Sequence, residues 1–342
     1  MNRIPFIRAD VVRRFTVFLR HVGAPFGRYL EEARIGADLL EDGEGLIPTA
    51  FAFRLLEIAA RRSGIPDLGI RVGSTIDPFS LGTFGRAIAS SETVGRALLT
   101  SVVQRPSWHS GERVWMTRQR DLIELHHRYV LPTGESWEQA VATNLVVHLN
   151  LLKHAVTGTA PAYVGLPVRP SRVYAELPAL ADTRIDFDQP RTTIAFRRET
   201  FALPLAPTSA ARPAGTDAAP PALPTGLVPS VEAFVVSLLG VEPPRIELVA
   251  EAAGLNPRTL QRRLAEAGVT YAEVVSHTRL RLARERLIAS NEKIVDIALS
   301  LGYADAAHFT RAFKRWTGLS PMVYRGIHAG MHAGSDGTRQ AS

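Results

Sequence analysis

Apolar side chains return every three to four positions at the start of the chain. Val11, Phe15, Phe18, Leu19 and Val22 share one face ahead of Gly23, with Asp10 placed to cap. That period predicts a helix. A second helix is expected from Thr49, with Phe53, Leu56 and Ala60 inward, and a third after Ser91 through Val94, Leu98 and Val102. The period then drops to two. Residues 113–130 alternate apolar and polar on either side of a polar Arg-Gln-Arg-Asp turn, the pattern of a β-hairpin. A long helix over 137–158 and two short strand-like runs, 184–188 and 192–198, complete this region. Its fold class is α+β, with helices outnumbering strands.

Beyond residue 229 the pattern is helical almost throughout, so this block reads as all-α. Ser230 is placed to cap a helix with Val231, Phe234, Val235 and Leu238 as its stripe. Residues 246–268 read as a short helix, a turn at Gly254 and a second helix opening near Asn256-Pro257. Asparagine is a good cap and proline suits the first helical position. A long helix is expected from about Tyr271 to Ala289. The short-helix, turn, second-helix layout then repeats over 293–318, with its turn at Gly302, and Ser320-Pro321 opens a last helix.

Composition locates the boundary between the two regions. Residues 206–230 are dense in Pro, Ala, Gly, Ser and Thr, and such a stretch buries too little apolar surface to offset its ordering entropy. The expected organisation is a first domain over 1–205, a linker over 206–228, a helical domain over 229–328 and a disordered tail over 329–342. Two domains suit a chain of 342 residues. The sequence holds no cysteine, which excludes disulfides, thiolate zinc sites and cysteine nucleophiles. No run is apolar enough for a membrane helix, and Arg3, Arg8 and Asp10 stand where a secretory signal needs an apolar core. A soluble, cytoplasmic protein is expected, with no membrane association.

The net charge of +7 suits a polyanionic partner without requiring one. Lys153, Lys293 and Lys314 are the only lysines, a bias that a GC-rich genome also produces. Position must therefore decide. Over 229–328 there are 13 basic and 10 acidic side chains, a net of only +3, but the basic ones concentrate on the second helix of each repeated unit.

Two short helices joined by a turn have a physical logic. The first packs across the second and leaves the second's outer face free to enter a DNA major groove about 12 Å wide. The inward positions are apolar: Leu248, Val249, Ala252, Leu260 and Leu264 in the first unit, and Ile294, Ile297, Ala298, Leu301, Phe309 and Phe313 in the second. The outward positions are polar, most of them hydrogen-bond donors. They are Arg258, Thr259, Gln261, Arg262 and Arg263, then Asp305, His308, Thr310, Arg311, Lys314 and Arg315. A charged outer face is common on exposed helices. Repetition of the whole layout within one small block is not.

The stretch Ile246–Arg325 resembles the DNA-binding domain of the AraC/XylS family of transcriptional regulators. The resemblance rests on Ile297-Ala298, Gly302-Tyr303, Asp305, His308-Phe309, Arg311, Phe313-Lys314, Gly318, Ser320-Pro321 and Tyr324-Arg325. It implies two helix-turn-helix units joined by the 271–289 helix, reading successive major grooves of double-stranded DNA about 10 bp apart. The implied DNA-binding residues are Arg258, Thr259, Gln261 and Arg262 in the first unit, and Ala307, His308, Thr310, Arg311 and Lys314 in the second. Ala307 departs from members with a polar residue there and offers only a methyl contact. Residues 165–207 are similar to the end of the arabinose-binding-type domain of one AraC subgroup, and the earlier helices fit that subgroup too. This implies effector binding, dimerisation or both. The jelly-roll sensor of other members would need many more early strands.

Candidates for binding an unnamed small-molecule effector are Arg105, Trp108, His109, His126 and Trp137, together with His127. The plain alternative makes the tryptophans core and the histidines surface or satisfied core. His126-His127 is a poor metal motif, because neighbours on a strand point to opposite faces. No cofactor and no metal are expected. The expected function is a sequence-specific transcription regulator, an activator, controlled by a small molecule, working as a homodimer and recruiting RNA polymerase. The alternatives are a constitutive architectural DNA binder with an N-terminal dimerisation domain, or an enzyme with a DNA-binding appendage. The sequence has no dinucleotide fingerprint, phosphate loop, zinc-protease or serine-hydrolase motif, and Asp42-Gly43-Glu44-Gly45 lacks the third glycine of the first of these.

Overall fold

The computed structural model describes residues 3–41, 45–130, 137–157, 159–206 and 222–333. The chain divides into two compact units. One is built from Ile4–Thr225, with which Ala252–Gly254 group, and the other chiefly from Gly226 onward.

The first unit opens with a short antiparallel pair, β1 (Phe6–Arg8) and β2 (Leu46–Pro48). The helices of this part of the chain are α1 (Ala9–His21), α2 (Phe26–Ala33), α3 (Thr49–Ser63), α4 (Leu68–Thr75), α5 (Gly82–Ala89) and α6 (Val94–Gln104). The hairpin β3 (Glu112–Gln119) and β4 (Leu122–Tyr129) leads to α7 (Glu138–Leu152). Strand β5 (Tyr163–Gly165), helix α8 (Arg172–Ala175), strands β6 (Arg184–Asp186) and β7 (Thr192–Arg197), and helix α9 (Arg198–Ala202) close the unit. The main sheet runs β3-β4-β7-β5-β6, antiparallel except for the β5–β6 pair.

Alternation sets the sheet's register. Arg120 turns the hairpin at φ +51°, and Glu112 faces Tyr129 while Trp115 faces His126. Helix α7 carries buried residues at 12 of its 15 positions, so it sits inside the unit rather than upon it. Its polar side chains lock α4 in place. Gln139 Oε1 accepts from Gly69 N at 2.7 Å, Thr143 Oγ1 donates to Gly69 O at 3.2 Å, and Asn150 Nδ2 donates to Gly73 O at 2.9 Å. Gly69 permits this approach, since a Cβ there would meet the Gln139 carbonyl oxygen at 2.2 Å.

The second unit is wholly helical: α10 (Leu227–Leu238), α11 (Ile246–Ala253), α12 (Pro257–Glu266), α13 (Tyr271–Ala289), α14 (Ile294–Ser300), α15 (Ala306–Thr317) and α16 (Pro321–Ala333). Helix α13 is the spine. Thr270 and Glu273 close a capping box at its start, and Val274, Thr278, Ala283 and Leu287 are buried along it.

Several local expectations are corrected. Asp10 lies inside the first turn of α1, and neither it nor the N-cap residue Arg8 makes a side-chain cap. Ser230 is buried within α10 and bonds back to Leu227 O at 2.7 Å, because the helix starts earlier, at Gly226 with φ +95°. The helix expected over 137–158 stops at Leu152. Helix α10 begins inside the stretch assigned to the linker, and α16 extends to Ala333, into the stretch assigned to the tail. Residues 207–221 and 334–342 lie outside the described residues.

Candidate nucleic-acid interface and a buried cavity

The two repeated units are built alike. Asn256 Oδ1 accepts from Thr259 N at 2.8 Å to start α12, with Pro257 in the first turn, and Asp305 Oδ1 accepts from His308 N at 2.7 Å to start α15. The backbone N–H of His308 holds the Asp305 carboxyl below its usual range. The turns before them use Gly254 at φ +64° and Gly302 at φ +75°. Inward, Leu260 and Leu264 of α12 and Phe309 and Phe313 of α15 are fully buried. Each such side chain contributes about 1.5–3 kcal/mol of burial. Phe313 also meets Tyr324 edge-on, with ring centres 5.3 Å apart, which ties α15 to α16.

The outer faces remain open. Arg258, Gln261 and Arg262 on α12 are exposed, as are Ala307, His308, Arg311 and Lys314 on α15, while Thr259 and Thr310 are half-buried. Arg258 and Lys314 make no ion pair among the described residues. Arg262 differs, since its guanidinium pairs with Glu266 on the same helix. Two further arginines of α13 hold the second unit. The Arg279 guanidinium lies over the Tyr303 ring at 5.0 Å, and Arg286 Nη1 donates to Ser300 Oγ at 2.6 Å. Seven residues apart, they stand on one side of the spine, so α13 supports α14 and the turn after it.

The first unit contains a cavity that opens to solvent. Its apolar wall comes from α1, α3 and the segment after α4, including Val12, Phe15, Phe53, Leu56 and Ile76. Its polar wall comes from the turn after α6, the hairpin and α7: Arg105, His109, Glu112, Tyr129, Thr143 and Asn144.

Glu112 organises that polar wall. Its side chain is 1% exposed, with Oε1 3.2 Å from Arg105 Nε and Oε2 3.2 Å from His109 Nδ1, and His127 Nε2 donates to Oε2. Burial pushes its pKa up. The charges of His109, Arg105 and His127 outweigh burial and hold it well below the usual carboxylate value. Arg105 also lies over Phe84 and Trp108, whose rings stack at 5.0 Å. Arg105 Nη2 donates to His148 Nε2 at 3.1 Å, so His148 must carry its proton on Nδ1, which donates to Asn144 O at 2.8 Å. Burial, and then the Arg105 charge, lower its pKa to about 3. Thr49 at the start of α3 sits 3.2 Å from His109 Nε2. The Arg105 Nε to Glu112 Oε1 approach is an ion pair without hydrogen-bond alignment, and both atoms, like Asn144 Oδ1, are buried without a hydrogen-bond partner.

Of the effector candidates, Arg105, Trp108 and His109 line this cavity, and His127 joins them through Glu112. His126 and Trp137 do not line it. His126 lies on the other face of the sheet. It accepts at Nδ1 from Arg191 Nε at 3.3 Å, and its Nε2 lies 2.7 Å from Thr117 Oγ1. The two adjacent histidines thus part to opposite faces. Glu112, Asn144, Tyr129 and His148 escaped sequence reading. Hairpin parity was the available signal for two of them, because the face that carries His127 also carries Tyr129 and its cross-strand partner Glu112. No group of three or more His, Asp or Glu side chains able to hold a metal ion exists among the described residues. Nor is any described helix long and apolar enough to cross a membrane.

Two family models match the chain. A helix-turn-helix domain covers residues 249–327, and the N-terminal arabinose-binding domain of AraC transcription regulators covers residues 23–205, more than half of the chain. The ornithine utilization regulator of Pseudomonas aeruginosa is 25% identical over 305 residues, 86% of this chain and 89% of its own. The regulator VirS of Mycobacterium tuberculosis is 26% identical over 349 residues, 93% of this chain and 96% of its own. The crystal structure of CdpR from Pseudomonas aeruginosa aligns over 88% of this chain and 96% of its own, at 22% identity and a TM-score of 0.39. The molecule is a DNA-binding transcription regulator with a separate effector-binding domain. It belongs to the AraC family of transcriptional regulators.

Proposed function

We propose that a small molecule bound in the cavity of the first unit sets the affinity of the second unit for a promoter, and that the protein activates transcription there as a homodimer in contact with RNA polymerase. The carrying observation is a pairing of features within one chain. Two capped helices, α12 and α15, keep donor-rich faces open, and a separate domain holds a cavity with unpartnered polar atoms. Arg258 and Arg262 read guanine edges, Gln261 reads adenine or holds phosphate, and Thr259 supports them. In the second unit Arg311, His308 and Thr310 read bases, Ala307 offers a methyl to thymine, and Lys314 holds phosphate. Residues 206–226 serve as the connection that lets effector binding shift the population of DNA-competent arrangements.

The test is selection of bound DNA from random sequence by the full chain, with and without pooled cell metabolites. A defined motif spanning two major grooves, with affinity shifted about five- to 150-fold by a metabolite, is the expected result. Selection without any motif would overturn sequence-specific reading. A motif indifferent to every metabolite would return the protein to the constitutive architectural class.

A further inference from the structure

Lining residues of the cavity divide unevenly between apolar and polar. Twelve of its 18 lining residues are apolar, and the rest stand together on one wall. A polyol presents hydroxyls on every side, and against Val12, Phe15, Leu56, Ile76 and Leu81 those hydroxyls would lose water without gaining a partner. The wall therefore disfavours a free sugar and favours an apolar body.

The polar wall selects the head group. Its charged groups already face one another within the protein: the Glu112 carboxylate lies 3.2 Å from the Arg105 guanidinium and 3.2 Å from His109 Nδ1. Burial lowers the pKa of both His127 and His148, which favours their neutral forms. A ligand carboxylate would lie against the Glu112 carboxylate, and a ligand ammonium would lie against the Arg105 guanidinium. Either would leave water without a counter-charge of its own. Arg105 Nε and Glu112 Oε1 lack a hydrogen bond but face each other as an ion pair, so the polar atom of the wall left with neither a hydrogen bond nor a counter-charge is an acceptor. Asn144 Oδ1 is buried and has no hydrogen-bond partner among the described residues, whereas the main-chain oxygen of the same residue is taken by His148.

We propose that the effector is a small, uncharged molecule with an aliphatic or aromatic body and a single hydroxyl or amide head, whose hydrogen is donated to Asn144 Oδ1. This rests on the reading of the cavity as the effector site.

The experiment titrates the full-length protein with five probes of one size range: 4-propylphenol, 4-propylbenzoate, 4-propylbenzylamine, propylbenzene and L-arabinose. Binding is read by calorimetry and by quenching of Trp108, which lines the cavity. The expected order places 4-propylphenol at least tenfold tighter than the benzoate and the amine, with arabinose not saturating. Asn144→Leu is expected to weaken 4-propylphenol about tenfold while changing propylbenzene less than twofold. Val11→Phe, at the half-buried edge of the apolar wall, is expected to weaken both equally. Tighter binding of the benzoate, the amine or arabinose would overturn the head-group assignment and leave the effector site standing. Equal losses of phenol and propylbenzene in Asn144→Leu would do the same. Saturable binding of none of the five would overturn the cavity as the effector site.

Discussion

Arg262 donates through Nη1 to Glu266 Oε1 at 2.6 Å, one turn further along α12, with the two side chains 65% and 58% exposed. The helix proposed to read DNA therefore holds one of its proposed readers in an ion pair of its own. An exposed pair at this spacing is worth about 0.3–0.5 kcal/mol, whereas a forked arginine–guanine contact is worth about 1–3 kcal/mol. The proposed guanine contact therefore outweighs the pair. Glu266→Gln releases Arg262 and removes a negative charge from the DNA-facing helix, so operator affinity should rise about two- to threefold. Arg262→Ala should lower it by about five- to 150-fold. Gel shifts on the selected operator check both. Equal affinity for all three proteins would show that Arg262 points away from the bases.

Specificity and electrostatic attraction separate by position. Arg258→Ala should cost about 1–3 kcal/mol on the operator and much less on unrelated DNA, since the contact proposed for it reads a base. Lys314→Ala should weaken both alike and reduce the slope of log affinity against log salt by about one. Titrations at four salt concentrations on each DNA distinguish the two. An Arg258→Ala protein that loses operator and unrelated DNA in parallel would reassign Arg258 to phosphate.

The helical unit was largely legible in the sequence because its signals are local. The cap at Asn256, glycine turns at Gly254 and Gly302, and helical period fix the elements, and α13 runs over Tyr271–Ala289 as its pattern predicts, whereas Asp305, placed on the outer face from the sequence, serves as the cap of α15. The hairpin was legible by alternation. The cavity was not, because its polar wall is assembled from distant segments. Arg105 meets His148 from 43 residues away, and His127 meets Glu112 from 15. The weak periodicity of α7 also concealed its role, since a helix buried on nearly all sides has no polar face to display. Ser230 misled for a related reason. Its hydroxyl satisfies itself on the preceding turn, so a residue that usually caps could be buried inside a helix.

Two glycines isolate the contribution of the Arg279 contact. Gly268 at φ +78° has nothing within 4 Å of an added Cβ, whereas at Gly302, φ +75°, that Cβ would meet Arg279 Nη2 at 3.3 Å. Left-handed strain is common to both, so Gly268→Ala should cost about 1–2 kcal/mol. Gly302→Ala should cost more, because it also presses on the guanidinium stacked over Tyr303. Calorimetric midpoints of the full chain give the comparison, and equal losses would mean that Arg279 yields at no cost. Only Gly302→Ala should also weaken operator binding through the second unit.

Acid should unfold the first unit through the histidines and the carboxylate of the polar wall. An unfolded His148 takes up its proton near pH 6.5, and the folded one not until about pH 3. Between those values the unfolded state binds the extra proton, so stability present above pH 6.5 is lost as pH falls, at about 1.4 kcal/mol per unit for one proton. His127, also lowered, adds in the same direction, and Glu112 adds below its ordinary value of 4.5. His148→Gln keeps an acceptor for Arg105 and removes the titration, so its stability should fall less steeply between pH 6.5 and pH 4, by about one proton's worth. Glu112→Gln behaves differently. It leaves the Arg105 charge buried and unmatched, which should cost about 3–5 kcal/mol at pH 7. Calorimetry of the full chain across this pH range, following the transition of the first unit, checks both. Identical slopes for the native protein and His148→Gln would show that His148 titrates freely in the fold and that the Arg105–His148–Asn144 chain does not hold it neutral.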